Sequence, residues 1–186
     1  MNDFSLVCRI LGTLFYRLPN NSVVTPLLAA IQAGKLNESW PFVQDELLNR
    51  LQENCAVEQL LSDYQAMFIE KTVSPYASDY VNDQQNEIRA FLQQMAMPLP
   101  ENSVDHFGFL LLAASWVEDH SAEDEVQAQI TLFDQFILPW CGKFLGKVES
   151  HAQYSFYRTL AIMTREALQS MRDELDEIAE QLEQDA

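Results

Sequence analysis

Apolar side chains recur at three- and four-residue spacing along most of this 186-residue chain, and no stretch alternates convincingly with the period of two that a strand requires. Phe4, Val7, Leu11, Leu14 and Phe15 set the pattern. Leu60, Leu61, Tyr64, Met67 and Phe68 repeat it, and so do Ile88, Phe91, Leu92 and Met95. Turn residues are scarce, with 5 Gly and 7 Pro, too few for the regular turns of a β-rich fold. The spacing predicts an all-α fold, an irregular helical bundle of about eight or nine helices.

The punctuation divides the chain. Pro19 stops the first helix. Thr25-Pro26 reads as an N-cap with Pro at the first helical position, and Gly34 closes that short helix as a left-handed terminator. Trp40-Pro41 reads as the start of a third element carrying Phe42, Leu47, Leu48 and Leu51. A fourth covers about Val57 to Glu70. The stretch from Lys71 to Asp83 breaks the helical period, because Pro75 lacks an N–H and drives Ser74 out of helical geometry.

Met97-Pro98-Leu99-Pro100 is a second interruption, and two prolines in three residues favour an extended connector. It could separate two helical parts within a domain covering residues 1–172. After it, Ser103 or Asp105 can cap a helix to about Asp119. That helix is apolar on nearly every side and should be central. Pro139 marks a break or kink in the next helix. From Asp173 the chain holds seven acids and no base, so residues 173–186 read as a helical extension or a disordered tail.

Charge excludes some partners. Eleven Lys and Arg against 28 Asp and Glu give a net charge of −17, which opposes nucleic acid and anionic membranes and favours a basic peptide. The same acids could serve only to keep the protein soluble. Phe107 to Val117 is too short to span a bilayer, so no stable membrane insertion is expected. Asp3 lies where a secretory leader would be basic, and Arg9 interrupts the apolar pattern behind it. Cys8, Cys55 and Cys141 form no C-x-x-C pair, which suits a reducing compartment. A cytoplasmic location is expected.

Chemical motifs are sparse. The histidines His106, His120 and His151 lack the i, i+4 spacing of a helical zinc site, and no phosphate-cradling Gly loop is found. No metal, cofactor or catalytic residue is expected, and the chain reads as a non-enzyme. Two places carry candidate binding residues. One is Ser74-Pro75-Tyr76-Ala77-Ser78-Asp79-Tyr80, where Tyr offers an apolar face with a polar end. The other is Asp105-His106, at the mouth of the central helix. By composition alone the favoured reading is that the tyrosines pin the loop to the bundle and that Asp105 is a cap beside a satisfied histidine. An alternative reading makes Asp105-His106 the acid–base pair of a small hydrolase. A third is a helical adaptor whose loop is only structural.

The order of these features resembles the TorD/DmsD/NarJ family of redox-enzyme maturation chaperones. Tyr64 and Phe68 precede Pro75-Tyr76-Ala77-Ser78 and Tyr80. Then come Asp105-His106-Phe107-Gly108, Leu138-Pro139-Trp140 with Phe144, and Phe156-Tyr157 with Leu160-Ala161. Leu111 to Trp116 and Pro139-Trp140-Cys141-Gly142 are similar to its YcdY-like branch. The resemblance implies a client-specific chaperone that assists cofactor insertion or proofreading, with Pro75, Tyr76, Ser78, Tyr80, Asp105 and His106 as the client-peptide-binding residues. The implied partner is an immature metalloenzyme: a molybdoenzyme or its twin-arginine leader, or a cytosolic metal-dependent hydrolase. It also implies two helical parts joined by a hinge near 97–103, containing Pro98 and Pro100, and a monomer or a domain-swapped dimer. The chain has Tyr76-Ala77 where many chaperones of exported enzymes have Trp-Gly, and Ser103 where they have Pro.

Overall fold

The computed structural model describes residues 3–120 and 125–184. Among them all repeating structure is helical, with one isolated β-bridge. The order is α1 (Asp3–Tyr16), α2 (Val24–Gln32), α3 (Lys35–Ser39), α4 (Asp45–Glu53), α5 (Val57–Tyr64), α6 (Gln85–Gln94), α7 (Phe107–His120), α8 (Glu125–Thr131), α9 (Leu138–His151) and α10 (Ser155–Gln184).

The centre is the α1–α7 pair. Phe107, Leu110, Leu111, Ala113, Ala114 and Val117 are fully buried, so α7 is the central helix that its all-round apolarity predicts. Two glycines let the pair approach. A Cβ on Gly12 would sit 2.8 Å from the Gly108 carbonyl oxygen, and one on Gly108 would sit 2.6 Å from the Tyr16 nitrogen. Further along, the Ser5 and Ser115 hydroxyls are 2.9 Å apart, and Arg9 bridges Ser115 and Asp119. Around this pair α10 packs against α9, α4 and α8. Of the acidic stretch, residues 173–184 lie in α10, and 185–186 lie outside the described residues.

Two helices change pitch. α5 continues as a π-helical turn, Gln65–Ile69, and α8 runs through another, Leu132–Ile137, into α9. Pro139 accounts for the second. It cannot donate, and its ring clashes with the preceding turn of an α-helix, so the chain widens just before it. The Leu138 N–H reaches back five residues to the Phe133 oxygen, and the Trp140 indole N–H donates to the Phe136 oxygen at 2.7 Å. The expected kink is thus a π-turn in a continuous helical run.

Three boundary expectations are corrected. Thr25 does not cap α2, which starts at Val24. Asn21 does this work: its Oδ1 accepts the Val23 N–H at 2.9 Å, and its carbonyl accepts from the N–H groups of Val24 and Thr25. Trp40-Pro41 does not start a helix. Pro41 holds Trp40 extended at φ −79°, ψ 125°, and α4 begins only at Asp45, where acids suit the helix dipole. Neither Ser103 nor Asp105 caps α7; both are spent on other bonds, and His106 takes the place. Gly34 does terminate α2, with φ 73° and its N–H on the Ile31 oxygen at 3.0 Å.

Candidate functional site

The loop between α5 and α6 is held against the entrance of α7. Tyr76 and His106 form the antiparallel bridge. The Ala77 N–H donates to the Asp105 oxygen at 3.1 Å, and the Phe107 N–H donates to the Pro75 oxygen at 2.7 Å. A 3₁₀ turn, Ala77–Asp79, follows.

The Asp105 carboxylate locks this junction. Its Oδ2 accepts the Ser78 N–H at 3.0 Å, while its Oδ1 accepts from the Gln85 amide at 2.9 Å and from the Ser103 hydroxyl. Gln85 also accepts the Val104 N–H through Oε1, so α6, the connector and the loop converge on one group. Asp105 is 1 % exposed. A carboxylate that is buried and bonded on both oxygens holds the loop in place. The connector is pinned as well: Arg89 donates to the carbonyls of Pro100 and Asn102. Pro98 and Pro100 lie between α6 and α7, outside any helix.

His106 is the side chain that opens α7. Its Nδ1 accepts the Gly108 N–H at 3.1 Å, so the ring proton sits on Nε2. Burial pushes its pKa down to about 4, against the opposing pull of Asp105, and the ring is neutral at pH 7. Tyr16 and Tyr76 meet it edge-on, with centroids at 5.0 and 5.2 Å. Burial, then Asp105 and Tyr16, raise the pKa of Tyr76, which remains a neutral donor.

Of the sequence-predicted residues, Pro75, Asp105 and His106 are buried, Tyr76 and Tyr80 are half-buried, and Ser78 is exposed. Tyr76, Asp105 and His106 come together. Tyr80 faces elsewhere: its ring stacks on Trp140 at 5.4 Å, its hydroxyl donates to the Ser74 oxygen at 2.8 Å, and Lys147 Nζ lies 4.8 Å from its centroid. Burial, then Asp79, pushes the Tyr80 phenol up to about 12. Sequence reasoning missed Gln85 and Tyr16. A lone Gln carries no positional signal, and nothing in the local pattern sets Tyr16 apart at the end of α1. Among the described residues no three His, Cys, Asp or Glu are placed to hold a metal, and no helix is long and apolar enough to cross a membrane.

The family described as nitrate reductase delta subunit matches residues 33–146. The chain belongs to that family, the TorD/DmsD/NarJ family of redox-enzyme maturation chaperones that its motifs resemble. It is 52% identical over 184 residues to the chaperone protein YcdY of Escherichia coli K12, covering 97% of this chain and 100% of that one. It is 26% identical over 193 residues to the Tat proofreading chaperone DmsD of Salmonella typhimurium, covering 94% and 91% of the two chains. To the chaperone protein TorD of Shewanella oneidensis it is 31% identical over 137 residues, covering 64% and 62%.

Proposed function

We propose that this chain is a client-specific maturation chaperone that binds an immature metalloenzyme or its leader peptide and assists cofactor insertion or proofreading. The observation that carries the reading is the Asp105 junction. It fixes a loop that leaves Tyr76 half-buried and Ser78 exposed, in a chain 52% identical to a named chaperone. A rigid aromatic beside exposed polar groups suits a peptide, because little side-chain entropy is lost on binding. Asp79, exposed on the same loop, is a carboxylate that a basic peptide can reach; Asp105 acts through the loop it holds.

The buried and satisfied state of Asp105 and the committed Nδ1 of His106 favour this reading over an acid–base pair, which needs a proton exchangeable with substrate. The 97–103 connector, with Pro98 and Pro100, would be the hinge at which the two helical parts move relative to each other.

The test is complementation. A strain lacking the gene receives the natural chain or its Tyr76→Ala variant, and cofactor content and activity of its metalloenzymes are assayed. The reading expects one enzyme to be cofactor-poor without the gene, rescued by the natural chain and not by the variant. Full metalloenzyme activity in the deletion strain would overturn it.

A further inference from the structure

The far end of α7 holds a second site. From His106 to Glu118 the helix rises about 18 Å, so this region is separate from the Tyr76 loop. A cavity of about 210 Å³ opens there between α1, α7, α8 and α10. Phe4, Val126, Leu175 and Ile178 form its apolar walls, and Asp3, Glu118, Glu125 and Glu174 supply carboxylates. Among the described residues no Lys or Arg lines it.

Acids around a cavity do not by themselves make a site; Gln129 is the second observation. It lines the cavity with 0 % exposure. Its Nε2 donates to the Ala114 oxygen at 2.8 Å and to Glu118 Oε2 at 3.1 Å, which fixes the amide's orientation. The Oε1 acceptor is buried and has no hydrogen-bond partner among the described residues. An acceptor in that state is costly unless a donor arrives. Burial, and the hydrogen bond and charge of Glu118, raise the Glu125 pKa to about 7, so the Glu125 carboxyl is drawn towards the protonated form near pH 7.

We propose that this cavity binds an alkyl cation, a guanidinium or ammonium group on an aliphatic stem. The stem lies against Phe4, Val126, Leu175 and Ile178, and the charged end is taken by Glu118 and Glu125, with one N–H offered to Gln129. The apolar walls favour such a group over a bare metal ion, and no described trio of ligating residues converges there. Its source is either an arginine or lysine side chain of a partner polypeptide or a free amine.

The experiment is an NMR titration of the full chain with n-butylguanidinium, with the neutral isostere N-butylurea as control. The proposal expects saturable shifts at Phe4, Glu125 and the Gln129 side-chain amide. It expects at least tenfold weaker effects from the urea, and at least fivefold weaker guanidinium binding by Glu125→Gln. Glu125 lies at the partly exposed start of α8, so this variant leaves the core intact; Gln129→Leu, if folded by circular dichroism, should match it. A blocked arginine tetrapeptide that saturates the same signals assigns a side-chain source, and one that does not, while butylguanidinium does, assigns a free amine. Non-saturating shifts spread along acidic α10, equal binding of the urea, or unchanged affinity in Glu125→Gln would overturn the proposal.

Discussion

His106 Nδ1 accepts the backbone N–H of Gly108 and thereby caps the central helix with an imidazole. The interaction needs the neutral ring, since a protonated Nδ1 is a donor facing a donor. The folded pKa, about 4, lies below the unfolded value near 6.5, so the folded state binds the proton less well. His106 therefore contributes fully above about pH 6.5, and its contribution is lost as the pH falls towards 4, by about 3 kcal/mol in all. Urea unfolding of the natural chain and of His106→Gln across this window should show a smaller loss for the variant. Parallel curves would remove His106 as the titrating cap.

The glycines of the chain divide by what surrounds them. Gly108→Ala drives a Cβ to 2.6 Å from the Tyr16 backbone, so α1 and α7 must separate, at a cost of about 3 kcal/mol. Gly142 and Gly146, within α9, have nothing within 4 Å, and alanine at either should raise stability by about 0.5–1 kcal/mol. Chemical denaturation of the three single variants reads both signs.

Asp63 is a buried carboxylate that accepts the N–H groups of Gln153 and Tyr154, both at 2.9 Å. It fastens α5 to the α9–α10 turn. Asp63→Ala leaves two backbone donors without their acceptor, and the expected loss is about 3 kcal/mol. A melting temperature within a degree of the natural chain would contradict that role.

Ala96 closes α6 in left-handed geometry at φ 54°. Its N–H lies on the Gln93 oxygen, and the Met97 N–H on the Leu92 oxygen. Alanine is strained there, so Ala96→Gly should stabilise the chain by about 0.5–1 kcal/mol. Calorimetry of that single variant tests the sign.

What the sequence allowed, and what it withheld, follows from range. The apolar period found the helices, and Gly34 and Pro139 acted locally as their chemistry requires. The α7 cap was misread because Asp is ordinarily a better cap than His. Asp105 is drawn off by Ser78, 27 residues earlier, and by Gln85, contacts that no local pattern encodes. The same range effect hid Tyr16, which only the α1–α7 crossing brings onto His106. Tyr76, Asp105 and His106 were legible as a group only through their order along the chain. Which of them is half-buried and which are buried required the fold.

The central claim is that Tyr76 presents the client-binding face while Asp105 holds the loop. Its most direct test is the affinity of purified natural and Tyr76→Ala chains for a metalloenzyme precursor captured with the natural chain, measured by calorimetry beside thermal melts. The account predicts at least tenfold weaker binding by Tyr76→Ala with an unchanged melting temperature. Equal affinity in a folded Tyr76→Ala chain would contradict it.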